Sequence, residues 1–254
     1  MPNVLPFRTL NWEGRKIKKD GTSSTINLYP RNKSSRKIFM NAGFTEDGMI
    51  NGKVRVLNSD HNAIAFRESY FEDTEEAFLD DLEVENGDIE ISEFTVKNAK
   101  DTNKPVISSY DYTKEDGMDI ISDKIYFSPM FFFRSTENPF KLEKREFPID
   151  FGYPSGEEYT FSIMLPENYE VETVPGPLAI ALPDGMGAFR YTIMSTPNMV
   201  QLKVVSEINN AIIPALYYDS LKEYYKKVIE KMNEKVVLSK ISDNGHTESA
   251  AGGR

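Results

Sequence analysis

Apolar and polar residues alternate with a period of two along much of the chain, the mark of half-buried β-strands. Tyr159, Phe161, Ile163 and Leu165 alternate with Thr160, Ser162 and Met164. Val200, Leu202 and Val204 alternate with Gln201 and Lys203, and residues 89–96 keep the same rhythm. Apolar runs at 38–44, 52–57, 106–112, 124–127, 170–174, 178–182, 188–194 and 235–238 also read as strands, several of them bounded by Gly, Pro, Asn or Asp. Glu46-Asp47-Gly48 is a turn that predicts an antiparallel pair, 38–44 with 52–57. Residues 10–17 and 25–28 flank Lys19-Asp20-Gly21 and predict a hairpin. A lone two-stranded hairpin is marginal in water. These two strands therefore want a sheet to join, and that sheet is expected upstream of residue 1.

Helical spacing appears twice. Phe78, Leu79 and Leu82 form a stripe behind Asp73 or Thr74 as cap, with Glu75 and Glu76 at the positive end of the dipole and Asn86-Gly87 as the stop. Leu221, Tyr224, Tyr225, Val228, Ile229 and Met232 share a face opposite Lys222, Glu223, Lys226, Lys227, Glu230 and Lys231, with Asp219 or Ser220 as cap. The pattern predicts a mainly β protein of two sandwich-like antiparallel units with at least two helices, one of them an amphipathic helix near the C-terminus. A polar link at 141–146, between Asn138-Pro139 and Phe147-Pro148, sets the expected boundary. The division is a remnant hairpin in 1–31, a β-rich domain with one short helix in 32–140, a sandwich-like domain with a helix in 141–241, and a disordered tail in 242–254.

Composition narrows the chemistry. With 254 residues, 39% of them hydrophobic, the chain can fill a core. A net charge of -10 has the wrong sign for holding a phosphate backbone, so no nucleic-acid partner is expected. No apolar run approaches the length of a membrane-spanning helix. The first residues, Met1 to Arg8, carry no export signal, and as written the chain is expected to remain in the cytoplasm. Zero Cys removes disulfides, thiol nucleophiles and thiolate metal sites together.

The remaining candidates are weak by spacing. Ser59-Asp60-His61-Asn62 crowds the letters of a triad, but sequence neighbours rarely converge on one substrate atom, and His61 reads as a solvated loop residue. His246, the other histidine, falls in the expected tail. Asp80-Asp81 with Glu83 and Glu85 lacks the ligand order of a calcium loop, and no metal or cofactor is expected. Gly185-Met186-Gly187 reads as a turn and not a dinucleotide loop. Among 40 acids some carboxylate pair always suggests itself, which leaves a carboxylate-dependent hydrolase as a third reading. The least ordinary stretch is Tyr126 to Phe133, whose run of Met130, Phe131, Phe132 and Phe133 belongs to the core or faces a partner. Phe131, Phe132, Phe133, Tyr217 and Tyr218 are the candidate interaction residues. Tyr224 and Tyr225 add a possible sugar-stacking pair, and a glycan- or peptide-binding module is the alternative reading.

The second half carries a resemblance. Phe147-Pro148-Ile149-Asp150-Phe151-Gly152 and Leu165-Pro166-Glu167-Asn168-Tyr169-Glu170-Val171-Glu172 begin it, followed by Leu182-Pro183-Asp184. Ala211-Ile212-Ile213-Pro214 with Tyr217-Tyr218, and then Asn233 to Leu238, continue it in order. Together these resemble a bacterial domain of unknown function that ends transglutaminase-like proteins, behind a papain-like core and a β-rich domain. Residues 5–15, Leu5-Pro6-Phe7 to Arg15, look like the last strands of such a core. Ile50-Asn51-Gly52-Lys53, Phe66-Arg67 and Asn138-Pro139-Phe140 look like the β-rich domain. The resemblance implies a non-catalytic accessory or interaction module, with the family's Cys, His and Asp lying upstream of the matching segments. It also implies an upstream core or another protein as partner, and an exported bacterial parent in the periplasm, envelope or exterior.

Overall fold

The structure is a computed structural model that describes residues 4–30, 32–45 and 48–241. Glu46 and Asp47 of the expected turn, and the expected tail with His246, lie outside the described residues. Among the described residues sixteen strands run in order: β1 Glu13–Ile17, β2 Ser23–Asn27, β3 Ser34–Phe44, β4 Ile50–Asn58, β5 Glu90–Lys97, β6 Val106–Lys114, β7 Asp119–Ile121, β8 Lys124–Phe127, β9 Ile149–Asp150, β10 Ser155–Met164, β11 Tyr169–Thr173, β12 Leu178–Ala181, β13 Gly187–Thr196, β14 Met199–Ile208, β15 Ile212–Ile213 and β16 Val236–Lys240. Three helices accompany them among the described residues: α1 Asp60–Glu72, α2 Glu75–Glu85 and α3 Tyr218–Met232. The protein is mainly β, with 43% of the described residues in strands. Among the described residues no helix is long and apolar enough to cross a membrane.

The largest sheet has eight strands in the order β12-β13-β14-β10-β3-β4-β6-β5. Its junction is β3, antiparallel to β4 and parallel to β10, which sets Tyr159 beside Ile38 and Phe161 beside Met40. All other pairings among the described residues are antiparallel. Strands from both sides of residue 140 thus share one sheet, across the link that was expected to separate a pair of sandwich-like units. The period-two pattern explains its burial. Ile38, Met40, Val54, Tyr110, Tyr159, Phe161, Leu202, Val204, Phe189 and Tyr191 fill one face and join a single apolar cluster. The second layer is a sheet ordered β11-β16-β8-β7, together with α3, contributing Ile125, Phe127, Val236, Leu238, Tyr224, Val228 and Met232 to that cluster.

α3 buries Leu221, Tyr224, Val228 and Met232, as their spacing predicts. It starts at Tyr218, and neither Asp219 nor Ser220 is its cap. A 3-10 turn, Ala215–Tyr217, feeds straight into the helix, and the Tyr218 N–H donates to the Ala215 carbonyl. α2 does begin with Thr74, whose hydroxyl accepts from the Ala77 N–H at 3.2 Å. α1 is the helix the pattern does not announce. Its buried residues are His61, Ala63 and Arg67, so the stripe is polar by composition. Residues 32–140 therefore hold two helices where one short helix was expected.

Tyrosines line the core. Burial raises the phenol pKa of Tyr110, Tyr112, Tyr159, Tyr191 and Tyr224, and pushes that of Tyr225 up to about 12. An unfolded phenol titrates near about 10. The fold thus prefers these groups neutral: their contribution is whole below pH ~10 and is lost as pH rises through the folded values. Alkaline titration followed by circular dichroism should show unfolding that begins above pH ~10, with phenolate absorbance rising together with it. Phenolate formation well before any loss of ellipticity would contradict this burial.

Candidate functional site

The segment after β8 turns sharply. Phe131–Phe133 form a 3-10 turn in which Phe131 has φ +46°, a left-handed conformation that is rare for a bulky residue. Phe131 is held there by its ring, which stacks on Phe127 at 5.7 Å and 10°, while Phe127 meets Phe44 at 5.2 Å. Phe132 packs edge-on against Tyr112 at 5.2 Å. Above these rings opens a cleft of about 490 Å³, lined also by Ile50, Tyr126 and Ser128. Its volume lies in the range of small-ligand sites.

The polar rim falls into two groups. Where α2 stops, Glu85, Asn86 and Gly87 line the cleft, as do Lys114 at the end of β6 and Asp116 of the β6–β7 turn. The Lys114 ammonium donates to the Gly87 carbonyl. The second group is Asp119, Arg134, Thr136 and Lys235. Lys235 donates to the Asp119 carboxylate, and that bond, with the charges of Lys235 and Arg134, holds the carboxyl below the usual range. The Arg134 side chain is exposed and makes no ion pair or hydrogen bond with the described residues. The Ser128 hydroxyl is spent on the Met232 carbonyl, to which it donates at 2.9 Å. Glu85 and Asp116 are exposed, unlike a buried general acid.

The five candidate interaction residues do not share a place. Phe131 and Phe132 line the cleft. Phe133 turns inward to Tyr159 and Phe161, at 6.1 and 5.6 Å. Tyr217 donates its hydroxyl to Asp184, and the buried Tyr218 donates to the Leu142 carbonyl at 3.0 Å and meets Phe140 edge-on. Tyr224 is buried and Tyr225 packs on Phe140 at 5.0 Å, so these rings are not stacked as an open platform. Apolar density pointed to Phe131 and Phe132. Lys114, Asp116, Arg134 and Lys235 had no such signal, because single charges at no fixed spacing cannot be told from solvated surface.

His61 corrects its expected place. It is 7% exposed, in the first turn of α1, and its ring stacks on Tyr153 at 4.3 Å and 9°. The Nε2–H donates to the Leu5 carbonyl at 3.0 Å, and Nδ1 shares a hydrogen bond with the Ser34 hydroxyl at 3.2 Å. Ser34 also accepts from the His61 backbone N–H and is fully buried. This knot ties Leu5 to the sheet, and His61 and Leu5 line a smaller cavity of about 370 Å³ together with Ile26 and Asn27 of β2. The hairpin itself is moored at its base: Asn11 donates to Asp150 and to the Gly152 carbonyl, each at 3.0 Å.

Residues 123–238 match the family model described as a domain of unknown function with solved-structure structure, DUF3858. The match begins within the β7–β8 turn, so it includes Phe131, Arg134 and Lys235 but not the opposite wall of the cleft. A solved structure described as a "putative protease" from Parabacteroides distasonis ATCC 8503 is similar at 18% identity, with a TM-score of 0.34, over 39% of this chain and 19% of that chain. No curated protein matches the sequence.

Proposed function

We propose that the chain is a non-catalytic accessory module of a transglutaminase-like protein and that it docks the catalytic core through the β1–β2 hairpin. The hairpin carries this reading. Its two strands pair only with each other among the described residues, and every position in them except Gly14 is exposed. Trp12 at 72%, Ile17 at 72% and Phe7 at 67% leave an apolar surface open on a ribbon too small to be stable alone. The base of the ribbon is anchored at Asn11. The likeness of residues 5–15 to the closing strands of a transglutaminase-like core supports that partner, and the same likeness supports an exported bacterial parent in the envelope or exterior. A chain without Cys, whose His61 is committed to Leu5 and Ser34, suits a module that leaves the chemistry to its neighbour.

Trp12 is the single tryptophan and reports on its own surface. Its emission should be that of a hydrated indole, readily quenched by acrylamide, and should shift to the blue when a transglutaminase-like core of the parent is joined or added. Trp12→Ser should change the stability of this chain by no more than about 0.5 kcal/mol while weakening that association. An unshifted emission, or protease or transamidase turnover by the purified chain that a point substitution in it abolishes, would overturn the reading.

A further inference from the structure

We propose that the aromatic face shared by α1, α2 and β5 docks an arginine-rich, amphipathic helical segment of another protein. Five rings in mutual contact make the face. Phe66 lies 5.6 Å from Phe78, centroid to centroid, and Phe78 lies 5.7 Å from Phe94. Tyr70 joins them all, at 5.2 Å from Phe71, 5.3 Å from Phe78, 5.8 Å from Phe66 and 6.2 Å from Phe94. None of the five is fully covered, and Phe71 is 52% exposed. Phe94 packs against the apolar cluster that fills the fold, whereas Phe66, Tyr70, Phe71 and Phe78 are not part of it. α2 buries none of its residues, so the stripe of Phe78, Leu79 and Leu82 is only partly covered. Rings left in this state gain from a further apolar layer.

Charge selects the occupant. Residues 68–96 hold twelve of the chain's forty acids and none of its thirty bases, so the whole net charge of -10 is due to this stretch. Eleven of the twelve are exposed, and none forms an ion pair with the described residues. Several border the rings. Glu68 is three positions before Phe71 on α1, and Glu75 and Asp81 are three positions to either side of Phe78 on α2, which makes them neighbours on the helix surface. The Tyr70 hydroxyl donates to Glu75 at 2.6 Å. Unpaired like charges repel one another, and a cationic partner relieves that repulsion. Nucleic acid and an anionic bilayer are repelled instead. Guanidinium suits the face better than ammonium, because its plane stacks on aromatic rings while its edge meets carboxylates. β5 is an edge strand, but a bulge between Ser92 and Thr95, with Glu93 at φ +50°, spoils it as a template for an added strand. A helix answers both features, with an apolar stripe for the rings and Arg for the acids. The face shares no residue with the β1–β2 hairpin, so its success or failure is separate from that of core docking.

Calorimetric titration of the intact chain tests it, with an end-blocked helical peptide of Arg and Leu (RLLRRLLRRLLR) beside versions carrying Glu for Arg or Gln for Leu, and calcium chloride as a fourth arm. The Arg–Leu peptide should bind saturably, the Glu version should not bind, and the Arg–Gln version should bind about tenfold more weakly or worse for want of apolar contact. Phe71→Ala should weaken the Arg–Leu peptide about tenfold, the worth of one packed aromatic contact. Glu68→Gln with Glu72→Gln and Asp81→Asn should weaken it and flatten its salt dependence. Trp12→Ser should leave it unchanged, which separates this face from the hairpin. The substituted residues are exposed, and unchanged melting temperatures would show that each variant folds. Equal affinity for the Arg–Leu and Arg–Gln peptides, full affinity in Phe71→Ala, saturable calcium binding that the acid substitutions abolish, or no saturable heat with the Arg–Leu peptide at submillimolar concentration would each overturn the proposal.

Discussion

Arg67→Ala is expected to lower stability by about 3–4 kcal/mol, among the largest effects of any single substitution in the fold. Arg67 is 8% exposed, and its guanidinium donates to five backbone carbonyls: Ala99 at 2.9 Å, Asn98 at 3.0 Å, Asp101 at 2.8 Å, Lys104 at 3.0 Å and Ala63 at 3.4 Å. Burial lowers its pKa, and the nearby Asp101 charge opposes that shift. One planar fork therefore organises the whole 98–104 loop and fastens it to α1. Alanine removes every donor at once. The carbonyls on the loop surface regain water, which keeps the loss well below five full hydrogen bonds. Arg67→Lys should recover less than half, since an ammonium has three donors on a flexible stem and cannot span the same carbonyls. Urea unfolding gives the magnitude, and limited proteolysis should show new cleavage between residues 98 and 104. A loss below about 1 kcal/mol would mean that the clamp is dispensable.

Gly52→Ala is the second large effect, expected at about 3 kcal/mol or more, with a fall in melting temperature of roughly 6–12 °C. Gly52 lies on β4 between Ala42 of β3 and Tyr112 of β6. A Cβ built there would sit 1.9 Å from the Asn41 carbonyl oxygen and 2.8 Å from its carbon. Those atoms belong to a central strand and cannot move aside as a side-chain tip would. The missing side chain also lets the Tyr112 ring lie across β4, where its hydroxyl reaches the Asn41 carbonyl at 3.4 Å. Gly176→Ala is the control, because a Cβ there meets nothing within 4 Å and the substitution should stay within about 0.5 kcal/mol. Equal melting temperatures for the two variants would contradict this account.

Much of the fold was legible because its physics is local. Alternation at 159–165 and 200–204 announced β10 and β14, and the stripe from Leu221 to Met232 announced α3, since one-sided burial writes itself into consecutive residues. The pairing of β3 with β10 was not legible. Ile38 and Tyr159 are both ordinary strand residues, and nothing near either one names the other as its neighbour. α1 escaped because its buried face holds an imidazole and a guanidinium, which read as surface until their partners at Leu5, Ser34 and the 98–104 loop are in view. The site divided in the same way. Phe131 and Phe132 stood out by apolar density, whereas Arg134, Lys235, Glu85 and Asp116 line one cleft only once β8, β16, α2 and the β6–β7 turn are packed together.

The parallel seam between β3 and β10 has a consequence for anyone who cuts the gene at the limits of the matched domain. A polypeptide of residues 123–238 would begin after β3 has been discarded, baring the main-chain amides and carbonyls of β10 along nine register positions. Such a raw margin templates its own kind. The excised piece should precipitate or stack into oligomers, and solubility would return once the segment carrying β3 and β4 is supplied in trans.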